Sequence, residues 1–407
     1  MRRADNILMY MACLLGAVLV QQPRAVVASE TMAAVKAAMG RLILGQLQSG
    51  PLEGAWAGEE EYTGSIVVGL VDAYAMTCDE DARVAAVAGG NFILRTAAGN
   101  YYGDEAYALM CLSQMSPEGP LSVWQVALED FYRKVSERPQ NGTRGYIAQF
   151  DRTDPSIAVF YLAHHTVAAF HVDAEDKDIW REALVDHLIR VDDDSATSAV
   201  MALGTATWAF ATTGWWDDAL LDPNGEGASC WQARTFDGLA ELLLTHRIVE
   251  GDLAGSFYWR FDHSPVAGGP PGGYTEEMVS SALGLTAGGL LDGDPEVVWA
   301  SRELRDLLVG SIAADGSVRQ HLTLGGQAYY SEIGRVLQAL AGLTNAADFN
   351  LDGRVDGSDL AILAARWNEA GGNCADRNRD GRIDARDLMV LVDNWLTHAR
   401  HDEAVVF

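Results

Sequence analysis

Two stretches near the C-terminal end of the chain carry oxygen-bearing side chains at matching intervals. The first runs from Asp348 to Asp359 and the second from Asp376 to Asp387, and each has glycine at its sixth position. Calcium is a hard cation that takes about six to eight oxygen ligands, which a loop of about twelve residues can supply if a glycine permits its sharp turn. The spacing therefore predicts two Ca²⁺ sites, one in each loop.

Every ligand position of such a loop is filled by a suitable residue in both copies. The predicted ligands are Asp348, Asn350, Asp352, Arg354, Asp356 and Asp359 in the first loop, and Asp376, Asn378, Asp380, Arg382, Asp384 and Asp387 in the second. The two arginines would bind through their backbone carbonyls, and the ninth-position aspartates through water. The alternative is a pair of solvated acidic turns, and the repetition of the whole ligand set argues against it.

A helical pattern follows each loop, and the two patterns match. Leu360, Leu363, Ala364 and Trp367 correspond to Leu388, Leu391, Val392 and Trp395, whereas neither loop is preceded by the entering helix of a full EF-hand. This duplicated loop and exiting helix resembles a type I dockerin over residues 346–397. The resemblance implies calcium-dependent docking onto a cohesin-like scaffold or surface protein, through loop positions 10 and 11 and the helices. Those positions, Gly357-Ser358 and Ala385-Arg386, depart from the usual paired hydroxyl residues.

The charge of the chain limits its partners. The 57 acidic residues outnumber the 29 lysines and arginines and give a formal charge of −28. Because binding to phosphates requires basic residues, a nucleic-acid partner is disfavoured.

The first 28 residues are typical of a secretory signal. Arg2 and Arg3 precede an apolar run from Ile7 to Val20, and we expect cleavage after Ala28. An uncleaved anchor is the alternative, but the run is short for a membrane span. The mature protein is therefore expected to be secreted or surface-associated, with no membrane span. Cys78, Cys111, Cys230 and Cys374 then allow three disulfide pairings, although buried free thiols are the commoner outcome.

Residues 30–344 show apolar residues at helical spacing, interrupted by Gly, Pro, Asp and Asn. The pattern predicts about twelve helices, near 30–48, 62–77, 81–97, 103–115, 121–137, 155–171, 175–190, 195–212, 229–249, 274–291, 295–313 and 328–343. Strand-like pieces at 257–261 and 317–322 interrupt them. Helices in short-looped pairs favour an all-α fold, an α/α toroid of about six hairpins, over an open α-solenoid. This body resembles the prenyltransferase and terpenoid-cyclase toroid group in helix rhythm, and residues 398–407 form a tail.

One short motif extends that resemblance. Val191-Asp192-Asp193-Asp194-Ser195-Ala196 is similar to the Asp-rich motif of class II terpenoid cyclases, which would give Asp193 the place of the protonating acid. The sequence departs from that motif at Val191 and Ser195. An acidic N-terminal cap on the following helix is the simpler interpretation.

Three clusters combine aromatic rings with carboxylates, a combination suited to sugar binding and proton transfer. They are Tyr101–Glu105, Trp215–Asp218, and Tyr258–His263 followed by Tyr274–Glu277. The third is favoured, with Asp262, His263, Glu276 and Glu277 as candidate catalytic residues. The alternative is that the aromatic residues anchor loops and the acids cap helices.

Three functions follow for the body. Because dockerins usually tag enzymes that degrade polysaccharide, the resemblance implies a hydrolase or lyase acting on polysaccharide. A non-catalytic scaffold that binds glycan or peptide is the second hypothesis, and a prenyltransferase or cyclase is a distant third. His164 and His171 share a helix face, but they lack the neighbouring ligands of a metal site.

Overall fold

The structure is a computed structural model with all side chains. It describes residues 30–401 apart from residues 98, 117, 266–268, 293, 328, 345–346, 352–354, 369–374 and 377–382. The contacts separate a large body, Ala34–Leu343, from a second unit that contains the C-terminal segment from Thr344. The predicted signal peptide and the end of the predicted tail lie outside the described residues.

The described part of the chain is mostly helical and has almost no strands, which confirms the predicted all-α class. The α-helices of the body are α1 Glu30–Gly45, α2 Thr63–Thr77, α3 Glu80–Thr96, α4 Gly103–Met115, α5 Val123–Ser136, α6 Gly142–Ile147, α7 Pro155–His171, α8 Lys177–Leu188, α9 Ala199–Thr212, α10 Leu239–Thr245, α11 Thr275–Asp292, α12 Pro295–Ser311 and α13 Tyr330–Leu343. The second unit contains α14 Gly357–Ala365 and α15 Ala385–His401, which contact each other.

Each of the twelve predicted helices has a counterpart, but two are shorter than predicted, and α6 was missed. Helix α9 begins at Ala199 because Asp192 closes a turn, accepting hydrogen bonds from the backbone N–H groups of Asp194 (3.0 Å) and Ser195 (2.7 Å). Helix α10 spans only seven residues because Thr235 pairs with Leu220 before it, and Arg247 pairs with Phe257 after it. Apolar periodicity alone did not reveal these local pairings.

Six helices of the body, α2, α4, α7, α9, α11 and α13, pack against one another in chain order, and α13 packs back against α2. We call them the inner helices. They are buried along most of their length, as α9 shows: every residue from Ala199 to Ala211 is buried. Helices α3, α5, α8 and α12 each pack against an inner neighbour. Alternate helices in the sequence therefore form the core of the body.

Glycines allow the inner helices to approach closely. A Cβ on Gly69 of α2 would lie 2.3 Å from the carbonyl oxygen of Gly334 in α13, and a Cβ on Gly204 of α9 would lie 2.5 Å from that of Ser280 in α11. No real Cβ tolerates such distances to backbone atoms. The contact between the first and last inner helices therefore depends on small residues.

The inner helices also share a direction. Ser65 near the start of α2 bonds Asp104 near the start of α4, and Ser198, the N-cap of α9, bonds Glu277 near the start of α11. Glu276 of α11 pairs with Arg335 in the second turn of α13. These links join like ends, so the N-terminal ends of these inner helices lie at one end of the body.

The only regular strands among the described residues form a small hairpin, in which β1 Arg319–His321 pairs antiparallel with β2 Gly325–Gln327. Residues 257–261 make only isolated bridges, from Phe257 to Arg247 and from Tyr258 to Gly272. The predicted strand-like pieces are therefore local pairings at the edge of a helical body.

None of the three possible pairings of all four cysteines is present, because at least one of these cysteines is a free thiol. Cys78 is disulfide-bonded, whereas Cys230 is a free thiol. No helix in the described part of the chain is long and apolar enough to cross a membrane.

Candidate functional site

The first candidate site is the pair of acidic loops in the C-terminal unit. Of the predicted ligands, the structure describes Asp348, Asn350, Asp356, Asp359, Asp376, Asp384 and Asp387. Asp352, Arg354, Asn378, Asp380 and Arg382 lie outside the described residues. The structure therefore describes seven of the twelve predicted ligands.

The twelfth residue of the first loop organises its backbone. Asp359 is fully buried, and its Oδ1 accepts hydrogen bonds from the backbone N–H of Phe349 at 2.7 Å and of Asn350 at 3.3 Å. Its Oδ2 accepts from the backbone N–H of Asp356 at 2.8 Å. Because the Asp356 side chain caps α14, one carboxylate joins the start of the loop to the helix that follows.

The second loop repeats part of this arrangement. The Oδ2 atom of Asp387, which is also fully buried, accepts from the backbone N–H of Asp384 at 2.9 Å, and Asp384 accepts from that of Arg386 at 2.8 Å. The backbone N–H of Asn368 donates to the carbonyl of Ile383 at 3.0 Å, which links the end of the first repeat to the second loop.

The chemistry of these loops fits a hard cation. Asp348, Asp359, Asp376 and Asp387 are all at most 6% exposed, and burying four carboxylates is costly unless positive charge compensates them. Calcium would supply that charge and hold the loop ends together. Within the described residues alone, no group of three or more His, Cys, Asp or Glu side chains is arranged to hold a metal ion.

The second candidate site lies in the body, where the inner helices begin. Glu276 and Glu277 are adjacent on α11 but differ in environment. Glu277 is fully buried, its Oε1 accepts a hydrogen bond of 2.6 Å from Ser198 Oγ, and burial raises its pKa to about 8. Glu276 is partly exposed, and its Oε1 lies 3.6 Å from Nη1 of Arg335. Both residues were predicted from the sequence, and both lie near the N-terminal ends of the inner helices but in different surroundings.

Arg335 is the residue that connects this cluster. Its guanidinium stacks on the Phe160 ring, 4.4 Å from the centroid, and burial raises the pKa of Asp104, a rise that the charge of Arg335 opposes. Burial and the nearby charge of Glu276 raise the pKa of Glu332 to about 7. We define the Arg335 cluster as Arg335, Glu276, Glu332, Asp104 and Phe160. Glu332 was missed although it follows Tyr329 and Tyr330 in the sequence, and Arg335 was missed because it is neither aromatic nor acidic.

Aromatic side chains lie next to this cluster. Tyr161 contacts Phe160 at 5.5 Å between ring centroids and Tyr102 at 5.7 Å. Burial raises the pKa of Tyr161 well above its usual value, and the charge of Asp104 adds to the shift while that of Arg335 opposes it. Tyr102 is 49% exposed. The cluster Tyr101–Glu105, which sequence analysis ranked lower, therefore contributes to the same region as Glu276.

Asp262 and His263 lie in a loop that is held differently. Asp262 is exposed, and a hydrogen bond from Ser264 lowers its pKa. The His263 ring stacks on Tyr258 at 3.9 Å, and its Nε2 lies 3.1 Å from Nδ1 of His246. Among the described residues, no hydrogen bond, ion pair or ring contact joins Asp262 or His263 to the Arg335 cluster. Their catalytic role stays a prediction.

Asp193 anchors that loop and does not cap a helix. Its Oδ1 accepts from the backbone N–H of Phe261 at 2.7 Å, and its Oδ2 accepts from that of Asp262 at 2.8 Å. Since α9 begins only at Ala199, the expected N-terminal cap is wrong. Both carboxylate oxygens of Asp193 therefore hold the backbone of the loop at Phe261 and Asp262.

The remaining candidates are packing elements. Trp215 is covered on one side by Phe236, at 4.4 Å, and on another by the Arg181 guanidinium, at 4.2 Å. The carbonyl oxygen of Phe160 accepts a hydrogen bond from Nδ1 of His164 at 2.8 Å, and burial lowers the pKa of His164 to about 4. Trp215 is therefore a packing residue, and His164 is an interior histidine.

Comparison with known proteins identifies one part of the chain. The family model for the dockerin type I domain matches residues 346–394, so this segment is a type I dockerin. Such a domain supports calcium-dependent tethering to a cohesin, and dockerin proteins are typically extracellular or associated with the cell surface. No curated protein and no solved structure matches the chain.

Proposed function

We propose that the chain is a secreted protein whose dockerin binds two Ca²⁺ ions and tethers it to a cohesin, and whose body is an α/α toroid that cleaves polysaccharide. The return of α13 to α2 and the shared direction of the inner helices support the toroid. In such a ring the Arg335 cluster would lie at the mouth.

The observation that carries the enzymatic proposal is the difference between Glu276 and the carboxyls around it. Glycoside hydrolysis needs one carboxyl that is protonated near neutral pH and one carboxylate that stays ionised. Glu276 is partly exposed and its Oε1 lies 3.6 Å from Nη1 of Arg335, whereas burial raises the pKa of Glu332 to about 7 and that of Glu277 to about 8. Glu276 would act as base or nucleophile, and Glu332 or Glu277 as acid.

The test is cleavage of a polysaccharide panel by the purified mature chain, with products separated by chromatography. Glu276→Gln should lower the rate by about two to four orders of magnitude, since it removes an acid–base group without changing shape. Glu296→Gln on α12 is the matched control, because Glu296 is exposed and its side chain lies outside the cluster. Equal rates for the wild type and Glu276→Gln would refute the assignment.

One observation favours a second function, a non-catalytic glycan-binding scaffold. The buried carboxylates also cap helices: Glu332 accepts from the backbone N–H of Tyr329 at 2.9 Å, and Glu105 accepts from that of Tyr102 at 2.8 Å. Capping would explain their positions without chemistry. If glycan in the gel slows the protein during affinity electrophoresis, but the protein releases no product from any polymer, the scaffold hypothesis is supported.

The tether is tested separately. Immobilised cohesin should retain the full mature chain in calcium and release it when a chelator is added. Replacing both first-position ligands, Asp348→Ala with Asp376→Ala, should abolish retention and leave the helix content of the body unchanged. Retention that survives chelation would contradict calcium dependence.

A further inference from the structure

We infer that the substrate of the Arg335 cluster is an uncharged polysaccharide, so that the bond is broken by hydrolysis and not by elimination from a uronic acid. The inference rests on the proposed function and narrows it. It comes from the donors that an anionic substrate would need, namely free cations and free helix N-terminal N–H groups.

The first requirement is a cation that is not already compensated. Arg335 is only 16% exposed, and its Nη1 lies 3.6 Å from Glu276 Oε1. Its charge also acts on Asp104 and Glu332. A uronate carboxylate or a phosphate placed here would compete with those carboxyl groups for a single guanidinium.

The second requirement is a set of open N–H groups at the helix starts, and protein carboxylates occupy them. Glu59 accepts from the backbone N–H of Tyr330 at 2.7 Å and of Ser331 at 2.9 Å, at the start of α13. Asp104 accepts from the backbone N–H of Ser65 at 3.2 Å in α2. The positive ends of these helices are therefore already neutralised by the chain itself.

Nε of Arg335 is buried without a hydrogen-bond partner in the described part of the chain, but it belongs to the guanidinium whose charge Glu276 compensates. The other open groups are an acceptor and an amide donor. Asp104 Oδ1 and Gln338 Nε2 are buried and have no hydrogen-bond partner in the described part of the chain, and Gln338 lies one turn after Arg335 on α13. An acceptor and an amide donor beside Tyr161 and Phe160 suit hydroxyl groups and the apolar faces of sugar rings. Such groups do not provide the charge neutralisation that elimination from a uronic acid requires.

The experiment supplies the mature chain with uncharged polymers (cellulose, xylan, mannan) and with anionic ones (polygalacturonate, alginate). Reducing ends report any cleavage, and ultraviolet absorbance reports the unsaturated product of elimination. Cleavage of an uncharged polymer without unsaturated product supports the inference. Cleavage of a polyuronate overturns it and leaves the proposed function standing, whereas cleavage of nothing overturns both.

A binding measurement gives a second readout that does not depend on activity. Inorganic pyrophosphate should bind the wild-type chain weakly by calorimetry, and Glu276→Gln should tighten binding about tenfold or more, since it frees a charged donor. Glu296→Gln should leave binding unchanged. Pyrophosphate binding that is equally tight in the wild type and in Glu276→Gln would overturn the inference, because Arg335 would then be available to anions.

Discussion

The contact between the first and last inner helices can be tested with one methyl group. A Cβ added to Gly334 in α13 would lie 2.5 Å from the carbonyl oxygen of Ser65 and 2.8 Å from Cα of Ile66, both in α2. These are backbone atoms of a buried helix, so no side chain can turn aside. Gly334→Ala must therefore push α13 and α2 apart.

The expected magnitude combines two opposing terms. Replacing a helical glycine by alanine stabilises the helix by about 0.5–1 kcal/mol, whereas overpacking a close contact costs about 1–3 kcal/mol, or more against rigid backbone. We expect Gly334→Ala to lower the free energy of unfolding by about 1–3 kcal/mol. Gly40→Ala is the matched control, because a Cβ on Gly40 in α1 would meet nothing within 4 Å, and it should stabilise by about 0.5–1 kcal/mol.

The assay is urea denaturation of the mature chain at fixed calcium, followed by circular dichroism and tryptophan fluorescence. A cycle with Gly69→Ala adds a second measurement, because a Cβ there would lie 2.3 Å from the Gly334 carbonyl. Once α13 has moved, the second methyl should cost less than it does alone, so the two effects should be less than additive. If Gly334→Ala stabilises the protein as Gly40→Ala does, α13 does not pack on α2 in this way.

Three further outcomes are expected. Asp359→Ala should weaken calcium-induced helix formation and cohesin retention about tenfold or more, because it removes a proposed ligand and three hydrogen bonds from the backbone. An unchanged calcium titration would contradict this. Burial raises the pKa of Glu277 to about 8, so its contribution to stability is fully present below about pH 4.5 and is lost as the pH rises toward about 8. Glu277→Gln should flatten that part of the profile of stability against pH. An unaltered profile would refute the raised pKa of Glu277. Native thiol labelling should modify Cys230, which is half-buried, faster than the buried Cys111, as peptide mass mapping would show; the reverse order would place Cys230 in a tighter environment.

The dockerin was predictable from sequence because its ligands are local. Twelve positions in each loop lie within one short stretch, and their spacing is fixed by the ion and by one glycine. The helices of the body were predictable for a similar reason, since a helix is encoded by the period of its apolar residues. Their ends were less so, because α9 and α10 are shortened by a turn at Asp192 and by bridges between loops.

The Arg335 cluster could not be predicted in the same way, because its members come from different helices. The cluster forms only when α4, α7, α11 and α13 pack together, since these helices carry Asp104, Phe160, Glu276 and Arg335. One weak signal was available. Several alternate helices begin with a hydroxyl or glycine residue followed by an acid, as in Gly103-Asp104, Thr275-Glu276 and Ser331-Glu332. Such starts are what close-packed helix N-termini require, since carboxylates neutralise the converging dipoles.

That requirement distinguishes the acids that hold helices together from Glu276, the proposed base or nucleophile. Glu59 and Asp104 use carboxylate oxygens on backbone N–H groups of a neighbouring helix, and Glu277 bonds the N-cap serine of α9. Asp104 and Glu277 each join two inner helices, and Glu59 joins the segment before α2 to α13. Replacing any of them is therefore expected to disturb packing. Glu276 bonds no backbone N–H in the described residues and faces Arg335 from a partly exposed position. A loss of activity without loss of stability is therefore expected at Glu276, and losses of both at the neighbouring acids would show that helix capping, and not catalysis, placed them there.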